Sequence, residues 1–277
     1  MDRRPEVRAP VLVCAFKGWN DAAESATTAL ALVAAQTGAE RFGAIDPDPF
    51  MDFQMTRPMV RLRDGRTRDI VWPEAVLSVA RTEPAPHDLV LISGTEPNYR
   101  WRGFCEAILA LVDDLGVELV VTLGALLAEV PHTRPVTLTG IASTPELIDQ
   151  LGFSTANYEG PTGIVGVLHD ACAKRGVPSA SLWAPVPHYV AGVPSPKATL
   201  ALLRGLEGLI DMSLDASDLE EAAAEYEQRL DEAVASEPDV RTLVERLESE
   251  MEEDLPSGDT IAQEFERFLR RRRPDEN

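Results

Sequence analysis

A chain of 277 residues is long enough for one large α/β domain with an appendage, or for two modest domains. Its 46 acidic and 26 basic side chains leave a formal charge of −20, which argues against nucleic-acid partners and anionic membrane surfaces, both of which are held through Lys and Arg. The three cysteines, Cys14, Cys105 and Cys172, are odd in number and lie far apart with no C-x-x-C pair, so no disulfide framework is expected and a reducing, cytoplasmic setting fits best.

The opening apolar run, "PVLVCAF", is too short to cross a membrane and stops at Lys17. No cleavage site follows it, so no signal peptide is expected. Residues 11–16 read as a buried strand, and 21–36 as an Ala-rich helix with Ala26, Leu30 and Val33 on one stripe. Residues 56–72 alternate around Asp64-Gly65, a hairpin signal, because a two-residue turn needs positive φ at both positions and Asp-Gly tolerates it. Strands are expected at 75–81 and 87–94, then an amphipathic helix at 102–116 closed by glycine. Further strands follow at 117–126, 135–143 and 178–187. Helices are expected at 144–152, capped by Thr144 with Pro145 at its first position, at 160–176, and at 195–210, opening on Ser195-Pro196. This alternation implies an α/β fold: a mostly parallel central sheet with helices on both faces, spanning 1–210, with the 56–72 hairpin inserted.

Beyond residue 210 no strand pattern appears, and 211–277 reads as an acidic, all-helical subdomain. Leu219, Ala222, Ala223, Tyr226, Leu230 and Val234 make one helical stripe, and Val240, Leu243, Val244, Leu247 and Met251 a second. Ile261, Phe265, Phe268 and Leu269 make a third. These last 67 residues hold 22 acidic and 8 basic side chains. Dense Glu on helices is ordinarily a solvated face, and the alternative is a docking surface for a basic partner. Arg270 to Arg273 suit the negative end of a helix dipole.

The stretch "GWNDAAE" joins the first strand to the first helix. Asp21 and Glu24 form a D-x-x-E variant of the capping box, placing two carboxylates at the positive end of that helix. An anionic cofactor would have to share that end with them, and no P-loop or dinucleotide fingerprint is present. Trp19 and Asn20 are either packed or an exposed recognition corner. "GPTGIVG" spaces Gly160, Gly163 and Gly166 by three, which suits close helix packing better than a phosphate loop, since no strand precedes it and no Lys follows. His87, His132, His169 and His188 show no metal-ligand spacing, so no metal is expected. No G-x-S-x-G elbow occurs. No catalytic residue is assigned and no cofactor is implied. Beyond predicted strand ends stand Glu96, Arg100 and Trp101, then His132 in "EVPHTRP" and His188 in "PVPHYV", with Tyr158 ahead of the glycine run. With Trp19 and Asn20 these form a candidate binding rim at one end of the sheet. Glu96 and Arg100 would bind a substrate or pair with each other.

Several longer stretches, "FKGWNDAAESAT", "GTEPNYRWRGF", "GALLAEVPHTRPV", "YEGPTGIVGVLHDAC", "SLWAPVPHYVAGVPSPKATLALL" and "LPSGDTIAQEFERFLR", resemble the bacterial branch of the proteasome assembly chaperone 2 family over the whole chain. That resemblance implies a three-layer α/β/α core of the purine-nucleoside-phosphorylase-like kind with a C-terminal helical subdomain. It also implies a homo-oligomer, with a trimer as the family-level expectation, and protein partners that include proteasome-related subunits. One departure stands out: docking tails of that kind end in hydrophobic-Tyr-any residue, whereas the sequence here ends Asp275-Glu276-Asn277. Contact with a proteasome would therefore use another surface. The expected function is a non-catalytic, protein-binding chaperone or scaffold. The alternatives are a small-molecule binder or phosphorylase- or hydrolase-like enzyme working at the rim, and a purely structural oligomer.

Overall fold

A computed structural model of the protein describes residues 4–253, apart from 64, 66, 152, 153, 156 and 157. The third helical stripe, the Arg270–Arg273 run, the chain end and Asp64 of the hairpin turn lie outside the described residues.

Strand β1 (Val11–Lys17) is buried over its first six residues. A strand covered on both faces needs no polar alternation, which explains its continuous apolar run. Its side chains divide by parity. Val11, Val13 and Ala15 belong to one core, and Leu12, Cys14 and Phe16 to the other. Helix α1 (Ser25–Gln36) follows a short 3₁₀ turn at Ala22–Glu24. Strand β2 (Glu40–Ile45) precedes a hairpin of β3 (Met59–Arg63) and β4 (Thr67–Val71), and the chain returns as β5 (Ala75–Ala80) and β6 (Leu89–Thr95). Next come α2 (Trp101–Leu115), β7 (Leu119–Ala128), β8 (Thr139–Ala142), α3 (Pro145–Leu151) and the two-residue β9 (Ser154–Thr155). Helix α4 (Ile164–Arg175), β10 (Ser179–Pro187) and α5 (Pro196–Ile210) complete the α/β part. Two acidic helices, α6 (Ser217–Ser236) and α7 (Pro238–Glu253), end the described chain.

The main sheet runs β2-β5-β6-β1-β7-β10-β8-β9. Strands β6, β1, β7 and β10 are parallel neighbours, whereas β5, β2 and β8 join antiparallel. Helices α1 and α5 cover one face and α2 and α4 the other, giving the three-layer α/β fold. Helix α6 packs on α5 through buried Ala223 and Tyr226, and α7 follows through Val244 and Leu247. The parallel strands end at Lys17, Thr95, Ala128 and Pro187, on one edge of the sheet, where crevices form in open α/β folds.

Three local expectations shift. Helix α1 starts at Ser25 rather than 21, because Ala23 and Glu24 take left-handed φ values of 54° and 53° and break the helical path. Helix α4 starts at Ile164 with Gly163 as its N-cap, leaving Pro161 in the preceding loop. The pairing Arg63↔Thr67 leaves three residues in the hairpin loop rather than two, with Gly65 at φ 68°. Strand β2, which the sequence does not announce, carries a bulge between Arg41 and Gly43.

Close strand contact makes one glycine irreplaceable. A Cβ at Gly94 would lie 2.8 Å from the Ala75 Cα on β5. Gly94→Ala is expected to lower unfolding stability by about 1–3 kcal/mol, the usual cost of overpacking, as measured by urea denaturation.

Candidate functional site

The turn after β1 is built around two carboxylates. Asp21 Oδ1 accepts from the backbone N–H groups of Ala26 and Thr27 at 2.8 and 3.2 Å, and its Oδ2 accepts from the Thr27 hydroxyl. It thus occupies the free amides at the start of α1. Burial pushes the Asp21 carboxyl above its ordinary range, and its bonds to Thr27 and Ala26 oppose that shift. Glu24 does not close a reciprocal capping box. The left-handed turn carries Glu24 outward, where it meets Lys17 at 3.1 Å. The second helix-start carboxylate is Glu96. Its Oε1 accepts from Asn20 Nδ2 at 2.7 Å and from the backbone N–H of Ile164, the first residue of α4, at 2.8 Å. Its Oε2 accepts from the Trp19 N–H at 3.4 Å. Two glycines make this approach possible. Gly18, at φ 138°, would carry a Cβ 3.1 Å from the Glu96 side chain, and a Cβ on Gly163 would overlap Asn20. Asn20 is fully buried, its carbonyl accepts from Ala125 N–H, and its side-chain oxygen has no partner among the described residues.

Beside this turn a cleft of about 1100 Å³ opens over the ends of β7, β10 and β8. Its wall is mainly apolar: Leu126 and Leu127 from β7, Ile141 from β8, Trp183 from β10, and Met251 from α7. Trp19 and Tyr158 stand at its mouth, 62% and 67% exposed. Tyr158 donates to the Pro161 carbonyl.

Of the residues picked out from the sequence, Trp19, His132 and Tyr158 line this cleft, while Asn20 and Glu96 brace its floor. The others stand apart. Arg100 is the exposed, left-handed N-cap of α2 and forms no salt bridge with Glu96, whose oxygens accept from Asn20, the start of α4 and Trp19. Trp101 donates Nε1–H to the Pro97 carbonyl and packs on the α2–α4 core. His188 is exposed, 3.3 Å from the Ala128 carbonyl, with its ring edge-on to Tyr189. His132 is only 2% exposed. Its Nδ1 lies 2.8 Å from the Tyr189 hydroxyl, and its Nε2 3.1 Å from Asp231 of α6. Burial holds the Tyr189 hydroxyl up at about 12, so it stays protonated and serves as a structural donor.

Sequence reasoning missed the C-terminal helices as walls of the cleft. Lys197 bonds both the His132 carbonyl and Glu227 of α6. Thr133 bonds Glu248, and Arg134 bonds Glu252, both on α7. Loop 130–135 is therefore clamped between the sheet edge and α6–α7. No spacing rule could have revealed this, because the partners lie between 30 and 118 residues apart. Among the described residues no group of three or more His, Cys, Asp or Glu side chains could hold a metal. Cys14, Cys105 and Cys172 are buried, and burial raises all three thiols, Cys105 to about 12 and Cys172 to about 11. They remain thiols at neutral pH.

Fold and site together define a class: an α/β/α protein whose strand-end crevice is apolar and whose adjacent helix starts are filled by its own acids. The family model described as PAC2 family matches residues 15–234, and the chain belongs to the PAC2 family. A PAC2 family protein from Streptomyces avermitilis is 49% identical over 85% of this chain and 99% of that one, with a TM-score of 0.79. A Mycobacterium tuberculosis structure described as a proteasome-assembly chaperone homologue is 44% identical over 84% and 99%, with a TM-score of 0.78. Pyrococcus furiosus PbaB, described as an archaeal proteasome activator, shares the fold at 17% identity over 84% and 96%, with a TM-score of 0.67. No curated protein matches. Among the described residues no helix is long and apolar enough to cross a membrane.

Two outcomes test the site's construction. Glu96→Ala strips the acceptor from Asn20 and from the start of α4, and is expected to cost about 3 kcal/mol in chemical denaturation. His169, in the cleft wall beside Ser179, is held below its ordinary value of 6.5, chiefly by burial, with Asp170 opposing. Between the lowered folded value and 6.5 the unfolded chain binds more protons, so stability rises with pH through that window and falls on acidification. His169→Gln is expected to flatten that slope in melting curves taken across the same range.

Proposed function

We propose that the protein is a non-catalytic chaperone or scaffold that binds an apolar segment of a client protein in the strand-end cleft. The observation that carries this reading is the pairing of an apolar cleft with helix starts already occupied by carboxylates, Asp21 on two amides of α1 and Glu96 on the leading amide of α4. A nucleotide or sugar phosphate would need those amides, whereas an apolar peptide side chain needs only the Trp19–Leu127 wall. Trp, Tyr and Leu presented around a recess are the usual anchors of protein contacts. The 44% identity to a proteasome-assembly chaperone homologue supports proteasome-related subunits as the clients and self-association, with a trimer as the proposed order. The cytoplasm is the proposed location.

Rim chemistry, as a small-molecule binder or a phosphorylase- or hydrolase-like enzyme, is the less supported alternative. Both His132 ring nitrogens are engaged by Tyr189 and Asp231, and Arg100 and His188 do not converge with it on the cleft. A purely structural oligomer leaves the open apolar cleft without a use.

Leu127→Asp places a charge in the cleft wall at a half-exposed site, so folding is expected to survive. Capture of purified proteasome subunits by the immobilised protein is expected to fall at least tenfold in Leu127→Asp and in Trp19→Ala. Equal capture by wild type and both variants would remove the cleft from the function.

A further inference from the structure

The β3–β4 hairpin forms a separate two-stranded sheet, and among the described residues no other strand or helix packs extensively on it. An isolated hairpin is marginal in water unless one face is covered. Its register places Val60 opposite Ile70 and Leu62 opposite Arg68, so these four share one face, which Trp72 continues. Leu62 is 66% exposed, and Val60, Ile70 and Trp72 are about half exposed. Trp72 makes an edge contact with Phe53. The opposite face presents Met59 and Val71 with Arg61 and Asp69. An apolar strand pair of this kind left bare would invite aggregation.

Charge identifies what covers it. Residues 56–72 hold five arginines and two aspartates within a chain of formal charge −20. Arg57, Arg61 and Arg68 are exposed and form no salt bridge among the described residues. The complementary surface lies in the same sequence. Residues 217–253 of α6 and α7 hold 14 acidic and 3 basic side chains. On α6, Glu221, Glu225 and Glu232 fall on one exposed stripe. On α7, Val240 and Leu243 are only half covered.

We propose that the hairpin is an assembly arm whose Val60–Leu62–Ile70–Trp72 face, with Arg68 on it, docks on the α6–α7 surface of a second copy of this chain. The two patches differ, so two copies either exchange arms about a two-fold axis or join head-to-tail, closing into a ring when the rotation permits. This deepens the proposed self-association by naming its surfaces, and it does not depend on the cleft or on any client.

Sedimentation of the purified protein tests it. The wild type is expected to run as a multimer at low salt and to lose mass as salt is raised, because arginine–carboxylate contacts are screened. Leu62→Glu/Ile70→Glu and Arg68→Glu are both expected to run as monomers, with circular dichroism and melting temperature close to wild type. Adding Glu221→Arg, Glu225→Arg and Glu232→Arg to the arginine-reversed chain is expected to restore the multimer. Arm variants that keep the wild-type mass overturn the proposal while leaving self-association standing. A monomeric wild type overturns both, and assigns the arm to a different protein. A charge-swapped chain that stays monomeric overturns the assignment to α6–α7.

Discussion

Two internal carboxylates set what the strand-end crevice can bind. The starts of α1 and α4 both face it, and each would ordinarily offer free N–H groups and the positive end of a dipole. Asp21 takes two amides of the first, and Glu96 takes the leading amide of the second. The same bonds hold the turn after β1 in a conformation with left-handed φ at Ala23 and Glu24, a strained path that persists because its surroundings over-determine it. Architecture and binding preference therefore come from one set of hydrogen bonds. With the amides filled, the open part of the crevice presents chiefly aliphatic and aromatic surface.

The acidic helices gain a role from this arrangement. They do not merely extend the fold, because α6 and α7 carry Tyr226 and Met251 to the cleft and hold loop 130–135 through three side-chain contacts and a bridge by Lys197. The exposed Arg134–Glu252 pair adds little in water. Burial of Ala223, Tyr226, Val244 and Leu247 holds these helices more firmly. Since the cleft wall is shared between the sheet edge and these helices, any displacement of α6 and α7 would change the width of the cleft.

Much of the fold was legible because its signals are local. Parity along Val11–Phe16, the glycine closing α2, and Ser195-Pro196 opening α5 each follow from one short stretch, and Ser195 does accept from the Ala198 N–H. Strand β2 was not legible. Gly43 and its bulge break the alternation, and pairing with β5 supplies what propensity lacks. The capping box was half legible: Asp21 is an acid that meets helix amides, but two left-handed residues put a full turn between it and Ser25. The rim list mixed residues that meet with residues that do not. Glu96 and Asn20 do meet, through Gly18 and Gly163, yet nothing near Arg100 signals that its expected partner is spent elsewhere. The C-terminal wall was illegible in principle, because contacts between residues 132–134 and 231–252 leave no periodic trace.

Titration calorimetry of the purified protein with inorganic phosphate and a nucleoside monophosphate tests most directly whether the crevice rejects anions. With Asp21 and Glu96 in place, no saturable heat is expected up to millimolar ligand. Saturable binding of either ligand in the micromolar range, abolished by mutating residues around the α1 or α4 start, would contradict the account and make the crevice an anion site.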